Sequence, residues 1–593
     1  MSRLKSQRGL MCMLAITASL VGMPLPVHSD TPIDESPALQ VMKDELDRSY
    51  EALKKADPPA YFIAYRLYDQ ETAEVSADRG SVIGITPYSH DRHACVEVRV
   101  GNYDLDSSHR VVNDDHAQAE NTLGAFGVVP FADDKTLQNT FWLETEKEYR
   151  TAAQRFGRVV GQHGLKSEED VCADFSHEKP TVKVSKVKWE EPVEIEPFKK
   201  TAESLSKIFS QYPEIEYSWT HFKIDRTMRY LVNSEGSASD HKTLHVSFSI
   251  AASTTANDGE KMTRSEIYYF SDPKELEALK PKFEKMVRDV ASSVVALRQA
   301  PLADPYCGPV VLKGPAAAVL FHEVLGHRLE ASRHRDSTDG KTFAKMLGQK
   351  ILPSFISVYD KPTVKELNGV ELNGSYQIDD DGVPAQDVTL VKDGKLETFL
   401  MGRAPTPKFD HSNGHGRCAP SGYDPVSRMA NLIVESSKSC SEDDLRQHLI
   451  AEAKKQGKPY GLVIEEVRGG ETNTSSYHAQ VFQVRPSLVR RVWVDGRPDD
   501  FVRGVRVIGT PMAALQRISE TSDKTEVMNG YCGAESGWVA QANCAPSLLL
   551  DSLEIERETP DKGIARILPA PTTEESTATA TTPKEMIKNA ITK

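Results

Sequence analysis

Residues 314–330 place ionisable side chains at the end of an apolar run, and this segment constrains the fold more than any other. The sequence reads Gly-Pro-Ala-Ala-Ala-Val-Leu-Phe and continues through His322, Glu323, His327 and Glu330. Proline is favoured as the first residue of a helix, so Pro315 predicts a helix that begins here and is buried along its apolar part. Buried polar groups need partners, because an unpaired one costs free energy. The fold must therefore build a polar site around the end of this helix.

The two histidines are five residues apart, and this spacing restricts the helix between them. A metal-binding pair on a regular helix is usually four residues apart, which places both side chains on one face. Five residues correspond to about 140° around an ideal helix, so His322 and His327 reach one ion only if the helix is distorted. Gly326 is where a distortion costs least, because glycine accepts unusual backbone angles. The pattern can also arise by chance, but the preceding apolar run and the glycine favour a metal site.

The chain of 593 residues is too long for one ordinary core. We predict an α+β fold with an N-terminal mixed α/β domain over residues 30–304. A strand-rich C-terminal domain over 305–556 is predicted to carry the metal-site helix at its start. A charged, poorly periodic stretch near 104–200 yields no readable elements. Residues 557–593 are rich in Thr, Ala, Pro and Glu and are predicted to form a disordered tail.

Two local patterns in the C-terminal half are specific enough to assign. Val388–Val391 and Leu396–Met401 flank the sequence Lys-Asp-Gly-Lys, which is typical of a β-hairpin. A helix is predicted from Ser441 to Gln456, because a serine can cap its start and a glycine follows its end.

The N-terminus has the pattern of a secretory signal. Three basic residues precede an apolar run at 10–21, and Val27 and Ser29 supply small residues before a cleavage point. The run is too short to span a bilayer comfortably, and no later segment approaches the required length. We therefore expect residues 1–29 to be removed, and the mature protein to be exported to the periplasm or beyond, without a membrane span.

The charge balance excludes one class of partner. The chain has 72 basic and 86 acidic residues and a formal net charge of -14. It lacks the positive field that neutralises phosphates, so no nucleic-acid partner is predicted. No Gly-x-Ser-x-Gly or Walker-type motif supports a serine hydrolase or a nucleotidase.

Several short motifs in a fixed order resemble the TldD/PmbA metallopeptidases, also called the modulator-of-gyrase family. They include the family's HExxxH signature with its trailing acid, its DDxGxP stretch and its GxGR and RMxN stretches. In this chain they occupy 322–330, 379–384, 412–417, 428–431, 494–498 and 530–533. The resemblance covers about residues 270–556, and the N-terminal third matches only loosely. The predicted export departs from the better-known cytosolic members.

The resemblance implies a zinc peptidase with one Zn²⁺ per protomer. It implies His322, His327 and Cys532 as ligands, with a fourth position left for water. From the residues alone, Glu330 is a rival ligand; with Cys532 on the metal, it becomes a hydrogen-bond acceptor for a ligand histidine. Glu323 is predicted to be the general base, which takes a proton from the attacking water and returns it to the leaving amine.

The resemblance also bears on substrates and partners. Family members form dimers that enclose the metal site, so a homodimer or a heterodimer with a related subunit is expected, acting on unfolded or extended exported polypeptides. Arg417 and His415 are weaker candidates for substrate binding, since a loop arginine or histidine is often plain surface. Two other functions stay open: a catalytically silent partner subunit, and a metal-dependent amidase acting on cell-wall peptides. The intact set of ligands argues against a catalytically silent subunit.

The cysteine count provides a test of Cys532 as a zinc ligand. The chain has 8 cysteines, and loss of the signal segment would leave an odd number. In an oxidising compartment an odd number leaves one thiol over. With Cys532 on zinc, six remain that can pair. A disulfide between Cys532 and Cys544 is the direct competitor, because it would remove the proposed ligand.

Overall fold

The computed structural model describes residues 36–109, 125–130, 133–162, 172–185, 192–335, 342–420, 424–472, 474 and 482–558. The predicted signal segment and residues 559–593 of the predicted tail lie outside this part of the chain. Within the described residues, no helix is long and apolar enough to cross a membrane.

The first half of the chain forms a seven-stranded sheet. Its strands are β1 (Ala60–Asp78), β2 (Ser81–Val100), β3 (Ala125–Val128), β4 (Val182–Lys183), β5 (Tyr217–Asn233), β6 (Ala238–Thr255) and β7 (Lys261–Phe270). The strand order is β3-β2-β1-β5-β6-β4, and β7 also pairs with β6. All pairings are antiparallel except that of β4 with β6. Strand β5 alternates buried and less buried residues along most of its length, as expected when one face packs on a core.

Within the described residues, four α-helices pack on this sheet: α1 (Pro37–Leu53), α2 (Asp134–Gln162), α3 (Glu196–Ser206) and α4 (Leu276–Gln299). One hydrophobic cluster joins α1 and α2 to the sheet, and a second joins α3 and α4 to it. Phe141 of α2 stacks on Tyr65 of β1, with ring centroids 4.5 Å apart. The charged stretch near 104–200 therefore contributes a long helix to the N-terminal core.

The second half is dominated by a twelve-stranded sheet. The strands of this half are β8 (Tyr306–Leu312), β9 (Ile356–Asp360), β10 (Glu366–Leu367), β11 (Val370–Glu371), β12 (Val388–Lys392), β13 (Lys395–Leu396), β14 (Gly416–Arg417), β15 (Val426–Ser427), β16 (Asn431–Ser436), β17 (Ser439–Cys440), β18 (Tyr460–Thr472), β19 (Phe482–Trp493), β20 (Asp500–Val502), β21 (Val505–Gly509), β22 (Ile518–Ala534) and β23 (Gly537–Arg557). The helices are α5 (Gly314–Val324), α6 (Ser332–Arg335), α7 (Glu442–Lys455) and α8 (Pro511–Gln516). The main strand order is β13-β12-β9-β16-β23-β21-β19-β18-β8, and β23 also pairs with β8. Five strands therefore close a ring.

Helix α5 follows β8 directly and is the centre of the C-terminal core. Pro315 lies in its first turn, and nearly every residue of the helix is buried. It shares one hydrophobic cluster with ring-strand residues that include Val310, Leu462, Val484, Val507 and Leu548. A helix that is apolar on all sides is stable only when protein surrounds it. The predicted α+β class is confirmed, with the strand-rich half carrying this helix near its start.

A loop of three consecutive aspartates joins the two sheets. Arg66 of β1 donates to the backbone oxygen of Asp380 at 3.2 Å, and Arg229 of β5 pairs with the Asp380 carboxylate. The next residue, Asp381, is buried and accepts the backbone N–H of Arg403 at 3.2 Å. Burial and the nearby charge of Glu97 raise the pKa of Asp381 to about 7.

The raised pKa gives the stability of this joint a defined pH dependence. Folding favours the protonated form of Asp381. The contribution of this residue to the free energy of unfolding is therefore most favourable below the unfolded pKa of about 4, and it is lost as the pH rises towards 7. We predict that Asp381→Asn raises the free energy of unfolding, relative to wild type, more at about pH 8 than at about pH 5. The expected difference is at least about 1 kcal/mol, the equivalent of one pKa unit. Thermal unfolding at both pH values measures it, and an equal shift at both would contradict this account.

Candidate metal centre

The helix changes type between the two histidines of the central motif. Helix α5 ends at Val324, and a 3₁₀ turn follows at Gly326–Leu329. This change supplies the distortion that the five-residue spacing requires. It brings the rings of His322 and His327 to a centroid distance of 4.6 Å, edge to face.

Gly326 is needed for space rather than for its backbone angles. Its φ lies outside the left-handed region, so the predicted reason for a glycine here is wrong. A Cβ added to Gly326 would lie 2.1 Å from the sulfur of Met429. The turn therefore packs against Met429 at a distance that only glycine permits.

Three potential ligands converge at the end of the helix. His322, His327 and Cys532 each offer a ligand atom, and these atoms lie within 4.8 Å of one another. Cys532 Sγ is 3.4 Å from His327 Nε2. Two ligands at the tetrahedral angle around one zinc ion are about 3.5 Å apart. Two imidazoles and one thiolate are a suitable donor set for zinc and leave a fourth position free.

The second nitrogen of each histidine has its own acceptor. His322 Nδ1 lies 3.3 Å from Asn543 Oδ1, and His327 Nδ1 lies 2.9 Å from Glu330 Oε2. Such contacts fix the ring and leave Nε2 for a metal. Glu330 is completely buried and also pairs with Arg333 at 3.1 Å. Of the two roles left open by the sequence, this geometry fits that of hydrogen-bond acceptor.

The side chains of the buried cluster shift one another's pKa values. Burial alone would raise the pKa of Cys532, but His322 and His327 hold it well below its usual value. Burial alone would lower the pKa of His327, but Glu330 and Cys532 raise it to about 10. Burial alone would also lower the pKa of His322, but Cys532 raises it. The site thus stabilises a thiolate, the form in which cysteine binds metals.

Glu323 lies beside these ligands and lines a cavity of about 640 Å³, which the three ligands also line. Burial raises its pKa. A Cβ added to Gly470 of β18 would lie 2.4 Å from Glu323 Cγ, so the strand backbone packs directly on this side chain. Arg328 donates to the backbone oxygen of Glu323 and to Thr472 Oγ1, both at 2.6 Å. The end of β18 and Arg328 together fix the position of Glu323.

The sequence motifs gave no sign of these supporting residues. Asn543, Thr472 and Gly470 come from strands far along the chain from the helix. The one available signal was the pair of glycines near the end of β18, since a glycine within a strand often marks a close backbone approach.

The two predicted substrate-binding residues lie elsewhere. His415 is completely buried, with Nε2 3.4 Å from Asp360 Oδ1. Arg417 donates to the backbone oxygen of Met429 at 2.7 Å and stacks over Tyr376. Neither is among the residues that line the cavity. Their contacts hold loops in place, so we leave both out of the candidate site.

The cysteines of the described residues form no disulfide. All seven cysteines within the described residues are free thiols, so the competing bond between Cys532 and Cys544 is absent. The six cysteines expected to be available for pairing are not paired in this structure.

A second group of possible ligands lies nearer the surface. Cys440, His448 and Glu520 also bring their ligand atoms within 4.8 Å. His448 already pairs with Glu520 at 2.5 Å, and Lys438 lies 3.8 Å from the same carboxylate. Because His448 is exposed and a lysine already neutralises Glu520, this group is weaker than the buried one.

Residues 306–557 match the family model described as the PmbA/TldA metallopeptidase C-terminal domain. Over 250 residues the chain is 28% identical to a metalloprotease TldD homolog of Haemophilus influenzae, covering 42% of this chain and 48% of the relative. It is 23% identical over 255 residues to a zinc metalloprotease TldD homolog of Saccharolobus solfataricus, covering 42% and 51%. The chain thus spans about half the length of the curated relatives it matches.

A solved structure shares the fold over most of the chain. The crystal structure of TldE from Thermococcus kodakarensis aligns with a TM-score of 0.57 and 12% identity. The alignment covers 87% of this chain and 99% of the other. At this identity the likeness shows the fold alone.

The contact between Gly326 and Met429 predicts a compensating pair of substitutions. Gly326→Ala should lower the zinc content of the purified protein, because the new methyl group forces the turn that carries His327 away from Met429. Overpacking of this kind costs about 1–3 kcal/mol. Adding Met429→Ala removes the clash, and zinc content should recover at least in part. Elemental analysis of both variants measures this, and equal zinc in Gly326→Ala and wild type would contradict the packing argument.

Proposed function

We infer that this chain, which belongs to the TldD/PmbA metallopeptidase family, is a zinc-dependent peptidase. The observation that carries the proposal is the buried set of His322, His327 and Cys532 with Glu323 beside it, all lining one cavity. The curated relatives are named as metalloproteases, one of them as a zinc metalloprotease. Hydrolysis of peptide bonds is the activity that unites these features.

His322, His327 and Cys532 would hold the zinc ion, one per protomer. Zinc at this position supplies a Lewis acid that polarises a peptide carbonyl and makes water a better nucleophile near neutral pH. Asn543 and Glu330 orient the two imidazole rings through their contacts with Nδ1. Removing such a partner typically weakens metal binding by about 10–100-fold.

Glu323 acts as the general base and then as the general acid. It takes a proton from the attacking water and gives it to the leaving amine. Its buried position raises its pKa, which brings the carboxyl closer to the neutral range where a group can both accept and release a proton. Arg328 holds the backbone of Glu323, and the strand backbone at Gly470 packs on its side chain, which limits the reorganisation that the reaction requires.

The proposed substrates are unfolded or extended polypeptides outside the cytoplasm. The signal pattern of residues 1–29 supports export, and the family resemblance supports a dimer that encloses the cavity. A silent partner subunit is disfavoured because both histidines, the cysteine and the glutamate are present. An amidase for cell-wall peptides would use the same residues, and only profiling of substrates separates it from a peptidase.

Glu323→Gln should bind zinc normally and lose turnover. Glutamine keeps the size of the side chain but accepts no proton, so the rate constant should fall by about 10²–10⁴-fold. Cleavage of unfolded casein, measured beside elemental analysis, checks both parts. A variant that keeps wild-type turnover would exclude Glu323 as the base.

Cys532→Ser is the corresponding test of the proposed third metal ligand. A serine hydroxyl is a poor zinc ligand beside a thiolate, so the variant should lose most of its zinc and, with it, its activity. Full zinc and full activity in Cys532→Ser would remove Cys532 from the metal and favour Glu330 as the third ligand.

A further inference from the structure

Three amide side chains line the cavity beside the metal ligands: Asn529, Gln541 and Asn543. Two of them are engaged by the protein. Asn543 Oδ1 faces His322, and the Asn529 amide donates to Glu371 O at 2.7 Å and accepts from Asn373 N at 3.0 Å. Gln541 differs, because its Oε1 has no hydrogen-bond partner among the described residues although the residue is only 6% exposed.

The strand register places Gln541 on the same face as the proposed ligands. Gln541 and Asn543 are two residues apart on β23, so their side chains point to the same side of the sheet. In the pairing of β22 with β23, Gly530 lies opposite Gln541 and Cys532 lies opposite Val539. Directly opposed residues of an antiparallel pair share a face. Gln541 therefore projects on the side that carries Cys532.

The space opposite Gln541 is open. A Cβ added to Gly530 would meet no atom within 4 Å. The neighbouring positions on this face of β22 are Met528 and Cys532, both of which line the cavity. The absence of a side chain at Gly530 leaves a gap beside the metal ligands, with the Gln541 amide next to it. A buried carbonyl oxygen without a donor costs free energy, and a ligand that supplies a donor recovers it.

We propose that Gln541 is a substrate-positioning residue whose Oε1 accepts the main-chain N–H of a peptide group next to the bond that is cut. A primary amide carries one acceptor and one donor group side by side, the complement of a peptide C=O and N–H. The substrate backbone would lie over Gly530, where a side chain would block it. This deepens the proposed peptidase function and rests on it. Recognition of this kind reads the main chain, so it tolerates varied side chains.

Gln541→Met tests the assignment, because methionine has a similar length but neither accepts nor donates like an amide. The control is Gln349→Met, an exposed glutamine outside the cavity lining whose amide donates to Lys345 O. With a synthetic peptide that spans a mapped cleavage site in casein, Gln541→Met should reduce kcat/KM by roughly threefold to tenfold, the worth of one neutral hydrogen bond. Zinc content should match that of wild type and of Gln349→Met, and Tm should be no lower than in either, because methionine removes an unpaired buried oxygen. A loss of zinc or a lower Tm in Gln541→Met would assign the residue to the framework and overturn the proposal.

Substrates with one N-methyl group show directly which backbone N–H donates to Gln541. The same peptide is methylated in turn on each backbone nitrogen flanking the scissile bond. In wild type, one position should lose activity because its N–H no longer reaches Gln541, and this loss should largely disappear in Gln541→Met. An equal loss in both proteins would overturn the role of Gln541 while leaving peptidase activity intact. A wild-type protein that holds zinc yet cleaves no casein would overturn the proposed function and this assignment with it.

Discussion

The nearly complete burial of helix α5 is the constraint on which the candidate site depends. Because the helix lies inside a closed ring of strands, the ionisable residues at its C-terminal end cannot turn to solvent. Each of them must find a partner within the protein. Cys532 comes from β22, Asn543 from β23, and Glu330 from the residue that follows the 3₁₀ turn. The arrangement of the strands around one apolar helix thus determines which groups meet the two histidines.

Electrostatics explains why such a cluster is suited to a cation. The Cys532 thiolate and the Glu330 carboxylate are buried among imidazoles and arginines, and the opposite charges keep one another ionised. Without protons on the histidines, the buried Cys532 thiolate would lack a compensating charge. Zinc can replace those protons and satisfy the thiolate and both imidazoles at once. Glu323 has fewer charged partners and is the carboxylate whose pKa rises, which separates its chemistry from that of Glu330.

Local patterns in the sequence predicted the parts of the molecule that depend on neighbouring residues. The predicted hairpin forms at Asp393 and Gly394, both with positive φ, although β13 is shorter than predicted. Helix α7 begins after its Ser441 cap, as predicted. The second half of β1 is mostly polar, so its hydrophobic pattern is weak in the sequence. Helix α2 was missed for a similar reason, since charged residues dominate its surface.

The candidate site also contains residues that a local sequence pattern predicts and residues that depend on contacts between distant segments. The two histidines and Glu323 form one short motif, and the structure brings Cys532 to them as the family resemblance implied. The reason for Gly326, the close backbone of Gly470 and the unpaired amide of Gln541 depend on contacts between distant segments, which no local pattern encodes. His415 and Arg417 show the converse, because both side chains of this polar loop motif are buried and contact other segments of the chain.

X-ray absorption at the zinc edge of the purified protein tests the central claim most directly. The account predicts one zinc ion per chain, bound by one sulfur at about 2.3 Å and by two imidazole nitrogens at about 2.0–2.1 Å, with one further light ligand. A stoichiometric zinc site without a sulfur ligand, or a chain that takes up no zinc while Cys532 is reduced, would contradict it.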